Sequence, residues 1–204
     1  MAGAMRLLDR KRWASALYET TIWLMFGFMV TTLLSRYAPG YLALVGSQSI
    51  PRGVYWVDTT DKTFRPGDYA SFHFEPRPAW LQERYGKSLQ FTKQILGVEG
   101  YTIHVDTNRN LRVCSPAGEG VVRCYAAGQA PAKDQRGRKL TSWVPPGKTY
   151  TLKRGEVWFY GPHKNSLDSR YAGPLPVEAI YGQAHPLLTL DSELPRRATE
   201  VPHG

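Results

Sequence analysis

The chain has 204 residues, a formal net charge of +9 and 42% hydrophobic residues, enough for one moderate domain with a sizeable core plus short extras. Its 26 Lys and Arg residues are scattered among Pro and Gly and form no aromatic-laced basic face, so nucleic acid is not an expected partner. The two cysteines form no CxxC pair and no Cys/His cluster, and neither a metal nor a cofactor is expected.

Residues 1–12 are basic, with Arg6, Arg10, Lys11 and Arg12 against Asp9. From Thr20 to Ser35, 16 residues run without a charge, and reaching back to Trp13 gives 23, broken only by Glu19. A bilayer core of about 30 Å needs roughly 20 helical residues, so 13–36 is expected to be a single transmembrane signal anchor. Trp13 and Tyr18 suit the headgroup belt. A cleaved signal peptide is the alternative. It needs small residues two apart after the apolar run, which Ser35-Arg36-Tyr37-Ala38-Pro39-Gly40 meets poorly. The basic cluster precedes the span and only Arg36 closely follows it. That asymmetry keeps the N-terminus in the cytoplasm and puts the rest outside. In a bacterium this is a single-pass inner-membrane protein with residues 37–191 in the periplasm. Residues 192–204, with Pro195 and Pro202, are expected to be a loose tail.

The exported part is expected to be mainly β. Runs rich in Val, Tyr, Phe, Trp and Thr, separated by Gly and Pro, predict strands at 41–46, 54–58, 68–74, 90–96, 101–105, 111–114, 121–125, 149–152, 156–160 and 178–184. Ala79 to Tyr85 predicts a short helix. Residues 126–147, rich in Gly, Pro, Lys and Arg, are expected to be an exposed insertion. Cys114 and Cys124 bound a Gly/Pro-containing loop. In an oxidising compartment a hairpin disulfide is the expectation, and two free cysteines on a strand pair are the alternative.

Three stretches hold groups that chemistry needs. The first is Gly46-Ser47-Gln48-Ser49-Ile50-Pro51-Arg52-Gly53, a turn between two apolar strands with two hydroxyls on it. Pro51 fixes its own φ and pushes Ile50 toward extended backbone, which stiffens the turn. Such a turn can present a nucleophile, and many ordinary turns look the same. The second is Lys93 within Phe91-Thr92-Lys93-Gln94-Ile95-Leu96. It either points to water or is buried. In the buried case desolvation lowers its pKa, and a neutral amine can take a serine's proton. A Ser–Lys pair needs no histidine, and the five histidines stand isolated. The third is Asn165-Ser166-Leu167-Asp168-Ser169-Arg170-Tyr171-Ala172-Gly173-Pro174, where Asp168 and Arg170 can pair and pin a loop. A hydrogen-bonded surface turn would use the same residues.

Taken in order after the N-terminal span, these stretches, with Gly67-Asp68-Tyr69 and Gly182-Gln183-Ala184, resemble the membrane-anchored Ser/Lys leader (type I signal) peptidases. The resemblance implies a signal-peptidase-like β-rich catalytic domain. In it Ser49 is the nucleophile and Lys93 the general base. Ser47 assists the Ser49 backbone N–H in the oxyanion hole, Ser166 orients the lysine, and Asp168 with Arg170 holds the wall of the site. It also implies a membrane-embedded precursor, a pilin or leader peptide, as substrate. Housekeeping members have two residues between nucleophile and proline, whereas here Ile50 stands alone. Ser-x-Pro-x-Gly-x-Tyr with a later Asp-Ser-Arg-Tyr-x-Gly-Pro resembles the conjugative-transfer (TraF-type) branch, whose members mature pilin precursors and in some cases close them into rings. Two segments depart from the family pattern, Gly97-Val98-Glu99-Gly100-Tyr101 and Gly161-Pro162-His163-Lys164. The alternatives are a general leader peptidase and, in another class, a non-catalytic membrane-anchored scaffold.

Overall fold

A computed structural model describes residues 2–119, 121–191 and 200–201. It divides between Pro39 and Gly40 into two compact units.

The first unit is one helix, α1 (Ala2–Tyr37), longer than the expected span of 13–36 because the basic N-terminal residues continue the same helix. Its apolar stretch, Ala16–Tyr37, is long enough to cross a bilayer and has a mean hydropathy of 1.4. Trp23, Phe28 and Leu34 are exposed on it. The hydroxyls of Thr20, Thr21, Thr31, Thr32 and Ser35 donate to carbonyls three or four residues earlier. This satisfies them within the helix, as an apolar solvent requires. Pro39 and Gly40 end the helical run.

The second unit is β-rich, as expected. Its strands are β1 (Gly40–Val45), β2 (Gly53–Asp58), β3 (Tyr69–Phe74), β4 (Leu89–Gly97), β5 (Thr102–Val105), β6 (Asn110–Cys114), β7 (Cys124–Gln129), β8 (Thr149–Thr151), β9 (Glu156–Tyr160), β10 (Leu175–Pro176), β11 (Ile180–Thr189) and β12 (Glu200–Val201). Two short helices, α2 (Ala79–Tyr85) and α3 (Ser169–Ala172), complete it. All ladders are antiparallel, in a seven-stranded sheet ordered β1-β2-β11-β3-β4-β9-β10 and a five-stranded sheet ordered β12-β7-β6-β5-β8. One core cluster lies on each sheet, Phe72, Phe74, Ile95 and Phe159 in the first and Ile103, Leu111, Val113 and Trp158 in the second. A third, smaller cluster joins Ile50, Tyr55, Val57 and Ala184. In β1 the alternation is strict, with Tyr41, Ala43 and Val45 packed inward and Leu42 and Leu44 exposed. Leu187 and Leu188 of β11 are exposed as well.

Three expectations are corrected. The strand expected at 121–125 begins at Cys124 and runs to Gln129, because Cys124 is held opposite Cys114 by the disulfide the structure contains. Residues 126–147 are not simply an exposed insertion. Ala127, Ala130 and Val144 are buried in the second core, and Leu140 and Trp143 pack against it. In the expected tail, residues 192–199 and 202–204 lie outside the described residues, but Glu200 and Val201 pair with β7 and are not loose.

Candidate active site

The turn after β1 carries Ser47 and Ser49 to different environments. Ser47 is exposed, whereas Ser49, Ile50 and Pro51 are buried. Ile50 anchors the turn in the small third cluster, and the Tyr55 hydroxyl donates to the Pro51 carbonyl at 2.7 Å. The next residue is clamped from outside. Arg52 donates its backbone N–H to Asp191 at 2.6 Å and its guanidinium to the same carboxylate at 2.8 Å, while Leu190 N–H returns to the Arg52 carbonyl. Gly53 is required by close approach, since a Cβ there would run into the Leu188 carbonyl of β11. The serine therefore sits on a turn tied to the far end of the chain.

Lys93 lies in the middle of β4, paired with Ala70 of β3. Only 2% of it is exposed, which decides between the two readings of this strand: it does not point to water. Its Nζ donates to the Ser166 hydroxyl at 3.0 Å. Burial pushes its pKa down to about 8, with Asp168 working against that shift and Arg170 adding to it. Among the described residues no carboxylate forms a hydrogen bond with the amine, so desolvation prevails.

Gly161 is where the pieces meet. β9 pairs Tyr160 with Gln94 of β4, and continuing that register sets Gly161 beside Lys93. A methyl group on Gly161 would strike the Ser166 hydroxyl and come within 3.2 Å of the Ser49 Cβ. Ser49, Ser166 and Lys93 thus converge on one glycine that has no side chain to spare. The Gly161 amide donates to Asp168 Oδ2 at 3.1 Å, and its carbonyl accepts from Arg170 Nη2 at 3.3 Å.

Asp168 and Arg170 build the wall behind this point. The guanidinium meets the carboxylate with two bonds of 2.8 Å, Nε to Oδ1 and Nη2 to Oδ2, and both side chains are buried. Burial works against the Arg170 charge, but Asp168 outweighs it and holds the guanidinium above its ordinary pKa. Asp168 also caps α3 by accepting from Arg170 N–H. The Ser169 hydroxyl accepts from Phe159 N–H, which fastens the same turn to β9.

Five of the six expected site residues are therefore brought together: Ser49, Lys93, Ser166, Asp168 and Arg170. Ser47 stays on the exposed side of the turn. Two features were missed in the sequence. Gly161 could have been found as the glycine that ends an apolar strand just before the Asn165–Arg170 stretch. The other is the support from residues 126–147. Arg170 Nη1 donates to the Gln129 carbonyl at 2.8 Å, and Trp143 N–H donates to the Arg170 carbonyl at 2.8 Å. Nothing in the sequence pattern ties those residues to the arginine.

A buried amine of lowered pKa, a hydroxyl holding it, and a second serine on a stiff turn are the parts a serine peptidase of the lysine type requires. The chain matches the family of signal peptidases, peptidase S26, over residues 14–188. It belongs to that family. Its members are serine endopeptidases that act on membrane-associated precursors, and the apolar helix is consistent with a membrane-anchored one. No curated protein matches the chain.

Proposed function

We propose that this chain is a membrane-anchored serine endopeptidase with a Ser49/Lys93 dyad that processes pilin precursors for conjugative transfer. The observation that carries the dyad is the buried Lys93 amine, with its pKa near 8, held by Ser166 beside the Gly161 that Ser49 also borders. Ser49 Oγ attacks the scissile carbonyl and its proton passes to the neutral Lys93 Nζ. The oxyanion is met by the Ser49 backbone N–H, and Ser47, on the exposed side of the same turn, is the second donor that the resemblance to the leader peptidases implies. The ammonium then gives its proton to the leaving amine, and an acyl-enzyme remains on Ser49. Water, or an amine of the substrate itself, releases it and regenerates the dyad.

The pilin branch is supported by the single residue between Ser49 and Pro51 and by Asp168-Ser169-Arg170-Tyr171-Ala172-Gly173-Pro174. The anchor and the basic residues before it support an inner-membrane protein with its catalytic domain in the periplasm, where the disulfide is stable. The exposed Leu42, Leu44, Leu187 and Leu188 give that domain an apolar face suited to a lipid boundary.

Ser49→Ala and Lys93→Ala should each abolish processing of a co-expressed pilin precursor while leaving the protein folded. Cleavage retained in either variant sinks the dyad. The mass of the product separates the two release routes: a chain one water lighter than the linear cleaved form means ring closure. A general leader peptidase would instead rescue a strain depleted of its own. A folded wild-type chain that forms no trappable acyl-enzyme would be the non-catalytic scaffold.

A further inference from the structure

Among the described residues one cavity is not lined by Ser49. It is a pocket of about 620 Å³ between α2, residues 131–140 and the loop 164–167. Its floor is apolar, formed by Trp80, Leu81, Leu140, Leu167 and Tyr171. Its rim is basic, with Arg84, Lys133, Arg136, Arg138 and Lys164 against one carboxylate, Asp134.

That carboxylate is already engaged. The segment Lys133–Lys139 folds back on itself as a small hairpin, bridged at its two ends and turned through Gly137 at a φ of 74°. Asp134 stabilises the hairpin, accepting from the backbone N–H groups of Arg136 and Arg138 at 2.9 Å and from Arg138 Nε at 2.7 Å. Arg84 stacks on Trp80, 5.0 Å from the ring centre, and its buried Nη1 lies 3.7 Å from Asp134 with no hydrogen-bond acceptor among the described residues. Lys133, Arg136 and Lys164 have no ion pair among the described residues. The pocket thus holds more donors and more positive charge than it can satisfy internally, above an apolar floor. Ser166, whose hydroxyl accepts from the Lys93 amine, also lines the pocket, which therefore adjoins the proposed dyad.

We propose that this pocket is an exosite for an acidic segment of the precursor, one that sets Asp or Glu carboxylates on the Lys133–Arg138 rim and a bulky apolar side chain on the Trp80–Leu140 floor. The proposal rests on the reading of Ser49 and Lys93 as a peptidase dyad. A polypeptide is favoured over a lipid headgroup because the pocket continues from the group that holds the proposed base. The occupant is recognised by charge and by one apolar anchor, so its affinity falls with salt.

The test uses the full-length Ser49→Ala chain in non-ionic detergent and three peptides blocked at both ends, each labelled with a neutral dye: a Glu-Leu repeat, the matching Gln-Leu repeat and the matching Lys-Leu repeat. Anisotropy should show the Glu-Leu peptide binding about tenfold or more tightly than the Gln-Leu peptide at low salt. In Lys133→Glu/Arg136→Glu, with an unchanged melting temperature, that preference should vanish or turn toward Lys-Leu. Equal binding of the Glu-Leu and Gln-Leu peptides overturns the proposal. So does a Glu-Leu preference that survives the charge reversal. Loss of binding to phosphatidylglycerol vesicles in the reversed variant, without any peptide preference, reassigns the pocket to lipid. Binding needs no cleavage, so a failed dyad leaves these peptide results standing. A failed exosite leaves a wild-type chain that cleaves precursor peptides with the same kcat/KM whether or not they carry the acidic segment.

Discussion

Lys93 and Arg170 are two cations buried around the same glycine, and their surroundings treat them in opposite ways. Lys93 is given a hydroxyl and no hydrogen-bonded carboxylate, so burial prevails and its pKa falls to about 8. Arg170 is given a bidentate carboxylate and the carbonyls of Gln129 and Gly161, so its charge is secured. One is left able to give up its proton near neutral pH, and the other cannot be used that way. Burial alone therefore does not mark a reactive group. What distinguishes them is whether the protein supplies the counter-charge.

The comparison is broken most severely by replacing the lysine with a neutral chain of similar length. Lys93→Met should cut processing by about 10⁴-fold or more, since it removes the proposed base. It should also raise stability at pH 7, by about 1–2 kcal/mol, because the cost of burying the amine goes with it. A Lys93→Met variant that melts lower than wild type would show the amine to be a structural partner. The corresponding change at the other cation acts in the opposite direction. Asp168→Ala leaves a guanidinium buried without its carboxylate and should cost about 3–5 kcal/mol. In thermal denaturation that is a fall of roughly 10 °C or more. Gly161→Ala is milder. Its methyl group must push Ser166 aside, so the Lys93 amine loses its acceptor while the Asp168–Arg170 pair persists. A loss of about 10- to 100-fold in kcat/KM with a small change in melting temperature is expected. Wild-type kinetics in Gly161→Ala would mean that Ser166 does not position the lysine.

Much of this was legible in the sequence. Strand positions followed from apolar alternation between Gly and Pro turns, and α2 fell at Ala79–Tyr85 as expected. The turn at Ser49 was legible because Pro51 restricts its neighbours locally. What could not be read was whatever depends on segments far apart meeting. The alternation around Lys93 describes a strand with one polar face, and only β3, β9 and the loop at Ser166 decide that this face is buried. β7 was misplaced for a similar reason. Val121 looks like the start of a strand but is exposed, while the small residues Ala126, Ala127 and Gly128, with little strand propensity, take their place beside β6. The hold of residues 126–147 on Arg170 runs through backbone carbonyls and amides, which any sequence supplies.

The finest separation of the two cations is in their response to pH. As the proposed base Lys93 must be neutral to act, so kcat/KM should rise about tenfold per pH unit up to roughly pH 8 and level off above it. At pH 6 about 1% of the plateau should remain. The same shift appears in stability. The folded-state pKa, about 8, lies below the ordinary lysine value of 10.5, so between those two values the unfolded chain holds a proton that the folded chain has released. Folding is therefore favoured progressively as pH rises through that window, and the benefit is lost as pH falls back through 8. Other groups titrate there too, and comparison with Lys93→Met removes them. The stability advantage of the variant should fall by about 1.4 kcal/mol per pH unit from pH 8 to about 10.5, and so pass through zero and reverse within that window. A difference that stays flat across the window would mean that the lysine titrates normally and is not poised as a base. Arg170 gives no such signal, because its charge is held in both states throughout this range.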